Sequence, residues 1–79
     1  MLNKAQLIGR LGEDPTMRYT GNGKAVTTFS LATDGRGKDA RPDWHRVVCW
    51  ERLAETCAEH LEKGRLGYVE GRLQTRSWE

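Results

Sequence analysis

Gly21-Asn22-Gly23 stands between two runs that favour extended backbone. Gly and Asn accept the positive φ that tight hairpin turns demand, so this tripeptide predicts two antiparallel strands joined at 21–23. The run after it, 24–33, contains Val26-Thr27-Thr28-Phe29-Ser30-Leu31, which is rich in β-branched residues. The run before it, 16–20, follows the turn signal Asp14-Pro15. It extends a first strand over 5–11 after a break that begins at Gly12. A chain punctuated this way builds sheet from short, sequentially adjacent strands.

Residues 34–43 hold two Gly, one Pro and six charges, and nothing there can pack into a core. They are expected to form an exposed, mobile loop, long enough for a hairpin connection to hint at function. Residues 44–50 then read as a third strand. Leu53, Cys57 and Leu61 recur at i, i+4 and i+8, with Ala54 and Ala58 beside them, which predicts one apolar helical stripe. Glu51, Glu55, Glu59 and Glu62 occupy the rest of the helix surface, and Gly64 fits a C-terminal stop. A long fourth strand is predicted over 66–78. The expected order is three strands, one helix and one strand.

At 79 residues the chain allows one small domain, assigned to 1–79. A chain this short buries only about 60% of its unfolded surface, which leaves little room for a deep catalytic cleft. No apolar run approaches the roughly 20 residues needed to span a bilayer. The start, Met1-Leu2-Asn3-Lys4-Ala5-Gln6, lacks the apolar region of a secretory signal. A soluble, cytoplasmic protein with no membrane partner is expected.

No catalytic constellation stands out. The glycines at 9–12 and 21–23 do not make a GxxxxGK[ST] phosphate loop. Glu13-Asp14 sits at a turn and reads as solvated, and His60 lies near the end of a surface helix. Cys49 and Cys57 read as free, space-filling thiols. With His45 and His60 their spacing matches no common zinc pattern, so no metal and no cofactor are expected. An enzyme is not expected.

The net charge of +2 is too small to identify a partner, but its placement is informative. Four of the eleven acidic residues fall between 51 and 62, so the remainder is basic, and nine of the thirteen cations are Arg. Arg suits planar contacts to phosphates and flat rings. Side chains alternate across a strand, so Trp44, Arg46, Val48 and Trp50 share one face, and His45, Val47 and Cys49 share the other. The second set suits a core and makes His45 an inward, hydrogen-bonded side chain. In the fourth strand Tyr68, Glu70, Arg72, Gln74, Arg76 and Trp78 oppose Gly67, Val69, Gly71, Leu73 and Thr75. All three Trp of the chain thus fall in register with Arg. An apolar patch rimmed by Arg implies a binding surface. Unpaired nucleic acid fits it, with bases stacked on the rings and phosphates held by the cations. A protein interface, where Trp and Arg are also favoured, is the competing use.

The segments at 3–15, 17–26, 29–33, 44–48, 53–55, 61–64 and 68–78 resemble, in order, the bacterial single-stranded DNA-binding protein family. Among them are N-K-A-Q-L-I-G-R-L-G-E-D-P, W-H-R-V-V and Y-V-E-G-R-L-Q-T-R-S-W. The resemblance implies an all-β OB fold, a Greek-key barrel with one helix between the third and fourth strands. It implies sequence-tolerant binding of single-stranded DNA in replication, recombination and repair, by a homotetramer. It places stacking aromatics on Trp44, Trp50 and Trp78. Backbone-contacting cations fall on Lys4, Arg18, Arg46, Arg52, Lys63, Arg72 and Arg76, and subunit contacts on His45 and Tyr68. A primosomal-type accessory protein, whose platform engages protein, is the alternative. An RNA-preferring domain is a weaker one, because Trp and Arg alone do not read the 2′-OH.

The chain departs from the family pattern in places. Gly37 stands where members often carry a further stacking Trp, and Gln74 where some carry Arg. Members continue past the position of Glu79 through a fifth strand and a tail with an acidic tip that recruits other proteins. The expectation is a barrel lacking its fifth strand, with an exposed edge and a marginally stable monomer.

Overall fold

A computed structural model describes residues 1–35, 37–38 and 40–74 of the chain. Its elements run β1 (Ala5–Leu11), β2 (Thr16–Tyr19), β3 (Ala25–Thr33), β4 (Asp43–Trp50), α1 (Glu51–His60) and β5 (Leu66–Gly71). The hairpin expected at 21–23 is present. Thr20 N–H donates to the Lys24 carbonyl at 2.9 Å, Gly23 N–H to the Thr20 carbonyl at 2.9 Å, and Gly23 takes φ 79°. The extension of the first strand is a strand of its own, β2, so the predicted third and fourth strands are β4 and β5.

All five strands belong to one antiparallel sheet. β4 pairs along one edge of β3. On the other edge β2 pairs with the first half of β3, and the end of β1 pairs with its second half through Arg10↔Ala32 and Leu11↔Leu31. The rest of β1 turns away to pair with β5, from Ala5↔Gly71 to Arg10↔Leu66. Gly9 permits that sharp coil, because a Cβ there would overlap the Ala32 carbonyl. The result is an OB-type coiled sheet with one helix between β4 and β5, left open among the described residues. There β4 pairs only with β3, and β5 only with β1.

The core lies inside the coil. Leu31 is fully buried, and Leu11, Ala25, Phe29, Cys49 and Ala54 pack with it. Truncating a ring such as Phe29 to Ala would cost about 3–5 kcal/mol. The buried Thr27 hydroxyl donates to the Ala54 carbonyl at 2.7 Å, which fixes α1 against β3. Between α1 and the inner sides of β4 and β5 lies an open, mainly apolar groove of ≈ 350 Å³.

Four expectations need correction. The fourth strand is not continuous over 66–78: β5 ends at Gly71, because its partner begins at Ala5. Beyond that the Asn3 side chain continues the pairing, donating to the Leu73 carbonyl at 2.9 Å and accepting from its N–H at 3.0 Å. The buried helix residue is Ala54 and not Leu53, which is 59% exposed on the open groove, since only a small side chain allows α1 its close approach to Thr27. Gly64 does not stop the helix. Leu61 does, in an extended conformation, and Gly64 instead turns the next loop, its N–H donating to the Leu11 carbonyl at 2.8 Å. Asp14 is not merely solvated, because its carboxylate accepts the Lys63 N–H at 2.8 Å and ties that loop to the end of β1.

Candidate nucleic-acid interface

The period-two pattern of β4 is realised in three dimensions. Trp44 and Trp50 project from its outer side, 60% and 53% exposed, with Arg46 and Val48 between them also exposed. Cys49 is buried and Val47 half-buried on the inner side. Six residues of strand separate the indoles by roughly 20 Å, enough for several nucleotides.

The ladder register shows what lies beside them. Residues directly opposite share a face. Val26, Thr28, Ser30 and Ala32 of β3 therefore lie next to Trp50, Val48, Arg46 and Trp44. All four are small, and none is fully exposed. Beyond them the register adds Arg18 opposite Val26, Thr16 opposite Thr28 and Arg10 opposite Ala32. The outer face is thus a low floor of small side chains, with Trp50 and Arg18 flanking one end and Trp44 and Arg10 the other.

Gly12 completes the Trp44 end. Its N–H donates to the Ser30 carbonyl at 3.0 Å, and a Cβ built on it would overlap the Trp44 ring. The absence of a side chain at residue 12 gives the indole its place. At the other end Trp50 caps α1 with extended backbone, and Glu51 turns the corner at φ 58°. A non-glycine residue pays roughly 1–2 kcal/mol for that left-handed conformation.

The other sequence-predicted cations divide. Arg52 is exposed in the first turn of α1, and Lys63 is exposed on the loop that Asp14 anchors two residues beyond Gly12. Lys4 lies elsewhere, immediately before β1 and six residues from Arg10. Its ammonium pairs with Glu70 at 2.7 Å, and Tyr68 donates to Glu70 at 3.1 Å while accepting from Gln6 at 2.9 Å. The Lys4 bond first, then that of Tyr68, holds the Glu70 carboxyl below its ordinary pKa of 4.5. Arg72 follows β5 one step beyond the Ala5↔Gly71 pair, so the register sets it across from Lys4. Trp78 and Arg76 lie outside the described residues. His45 turns inward as expected and hydrogen-bonds with Thr33 at 2.9 Å. Arg10 was not singled out from sequence. Its place beside Trp44 follows from a register across three strands, which no local pattern carries. Its Nη1 donates to the Gly64 carbonyl at 3.0 Å, which steadies the guanidinium near the α1–β5 loop.

Among the described residues no group of three or more His, Cys, Asp or Glu gathers as metal ligands, and no helix is long and apolar enough to cross a membrane. What the face offers is exposed rings and exposed cations.

Residues 2–79 match the Single-strand binding protein family. The chain belongs to that family. Single-stranded DNA-binding protein 1 of Chlorobaculum tepidum is 51% identical over 99% of this chain and 52% of its own length. The chain therefore spans about half the length of this curated relative. Among solved structures, that described as the Plasmodium falciparum SSB complex with ssDNA superposes with a TM-score of 0.89 at 39% identity, over 99% of this chain and 74% of that one. Both family membership and the OB-type architecture agree with the resemblance carried by the sequence.

Proposed function

We propose that this chain binds single-stranded DNA with little regard to sequence, by stacking bases on Trp44 and Trp50 while cations hold the phosphates. The observation that carries the reading is the pair of exposed indoles on one side of β4, separated by a floor too low to obstruct a strand laid across it. Every base has a flat face, so stacking tolerates sequence, and it is worth about 1–3 kcal/mol per base in proteins of this class. Arg18, Arg46, Arg52 and Lys63 serve as phosphate contacts, and Arg10 joins them from its position beside Trp44. Lys4 and Arg72, set across from each other just beyond the Ala5↔Gly71 pair, are assigned to the same path, as are Arg76 and Trp78, which lie outside the described residues. The names of the Chlorobaculum tepidum relative and of the Plasmodium falciparum complex support DNA as the ligand. The role is binding and protection during replication, recombination and repair in the cytoplasm, with no chemical step.

Assembly into a homotetramer belongs to the same proposal. The outer side of the β1–β5 ribbon exposes Ile8, Leu66 and Tyr68, with the Tyr68 hydroxyl bonded to Gln6 and Glu70, an apolar patch with satisfied polar groups. That composition suits a subunit contact. His45, directed to the opposite side of β4 from Trp44 and Trp50, is assigned to subunit contact as well.

The test is a titration with oligo-dT at low salt and again at rising salt. Tryptophan fluorescence should be quenched, duplex DNA should quench far less, and affinity should fall steadily with salt. Absence of quenching at low salt rejects the reading and favours a protein-binding platform.

A further inference from the structure

The chain has two cysteines, and the fold brings them together from different elements. Cys49 points inward from β4 and Cys57 faces it from α1. Their sulfur atoms are 3.7 Å apart, with the Cys57 thiol donating to Cys49 Sγ. Both are free, and both line the open groove together with Val47, Leu53 and Leu61. A disulfide has an S–S bond of about 2.05 Å, so the sulfurs need to close by about 1.7 Å. Cys57 lies one turn from the end of α1 at His60, beyond the Thr27–Ala54 bond that fixes the helix.

We propose that Cys49 and Cys57 are a peroxide-reactive thiol pair, which hydrogen peroxide entering the groove converts to an intramolecular disulfide tying α1 to β4. The groove is open and mainly apolar, so a small neutral oxidant enters it more readily than a bulky charged one such as glutathione disulfide. Cys57 is the more exposed sulfur and reacts first. Its thiolate attacks one peroxide oxygen, the O–O bond breaks, and the departing hydroxide takes up the proton Cys57 released, giving water and a sulfenic acid. Cys49 Sγ then attacks the Cys57 sulfur. The S–O bond breaks, and hydroxide leaves with the Cys49 proton as a second water. Two thiols and one hydrogen peroxide become one disulfide and two waters. Burial first, and the neighbouring Cys57 second, push the Cys49 thiol up to about 12, which disfavours its direct reaction with the oxidant, and conversion of Cys57 to a neutral sulfenic acid removes the second of these causes. The new bond closes a loop that contains the Trp50–Glu51 corner.

Treatment of the full chain with hydrogen peroxide, followed by mass spectrometry without reductant, tests this. The expected product has lost the mass of two hydrogens. Its tryptic map links the peptide 47–52 to the peptide 53–63, and its melting temperature rises and returns to the starting value with dithiothreitol. In Cys49→Ser the sulfenic acid should persist at Cys57 and be trapped by dimedone. In Cys57→Ser the loss of two hydrogens should disappear. A wild-type chain that gains only oxygen atoms, links only to other chains, or stays unmodified where a free cysteine peptide is oxidised would overturn the proposal. The wild-type peptide map decides this even if both variants fail to fold.

Discussion

The indole of Trp44 occupies the space that a side chain on Gly12 would fill. The ring atoms concerned are at the far end of a side chain free to swing, so an added methyl moves the ring more easily than it moves the sheet. Gly12→Ala is therefore expected to change the melting temperature little. It should still weaken oligo-dT binding by up to the worth of one stacked base, about 1–3 kcal/mol. Parallel thermal melts and fluorescence titrations check this. An unchanged affinity would mean that Trp44 does not stack.

Stacking and charge should separate by salt. Trp44→Ala and Trp50→Ala should each cost about 1–3 kcal/mol at every salt concentration, leaving the slope of log K against log salt unaltered. Arg46→Ala, Arg18→Ala and Arg10→Ala should instead each flatten that slope by about 0.7. An Arg10 variant with the wild-type slope would remove Arg10 from the proposed phosphate path.

Glu51 turns the β4–α1 corner at φ 58°, a conformation natural to glycine. Glu51→Gly should stabilise the fold by about 1 kcal/mol. For a domain of this size that corresponds to a rise in Tm of roughly 4–8 °C. A fall in Tm would show that interactions of the Glu51 side chain outweigh its backbone strain.

The depressed pKa of Glu70 gives stability a pH dependence. Its favourable bonds to Lys4 and Tyr68 act fully above its ordinary pKa of 4.5, and they are lost as pH falls through the lower folded value. Wild type should therefore lose more stability than Glu70→Gln on acidification through that window, and the two should differ most near neutral pH. Denaturant melts across the acid range measure it. Parallel curves would contradict the role given to the pair.

Much of this was legible in the chain. The outward indoles of β4 follow from period-two alternation, which puts Trp44 and Trp50 on one face with Arg46 between them. The hairpin at 21–23 follows from turn residues whose backbone preferences leave few options. What the sequence hid depends on partners far along the chain. The end of β5 is decided by where β1 begins, so 66–78 read as one strand although the ladder ends at Gly71. Ala54 is buried in place of Leu53 because α1 docks on Thr27 beside an open groove. Arg10 joins Trp44 only through Ala32, across three strands. The strain at Glu51 leaves no trace in composition or periodicity. Trp78 and Arg76 fall outside the described residues, so the expected continuation of the platform rests on sequence alone.

The central claim is that bases lie on the outer indoles of β4, and the indole N–H signals in an NMR spectrum report on it directly. With each signal assigned by Trp→Phe substitution, adding oligo-dT should shift the Trp44 and Trp50 resonances together, to saturation at one site. Binding that leaves both resonances where they began would contradict the account.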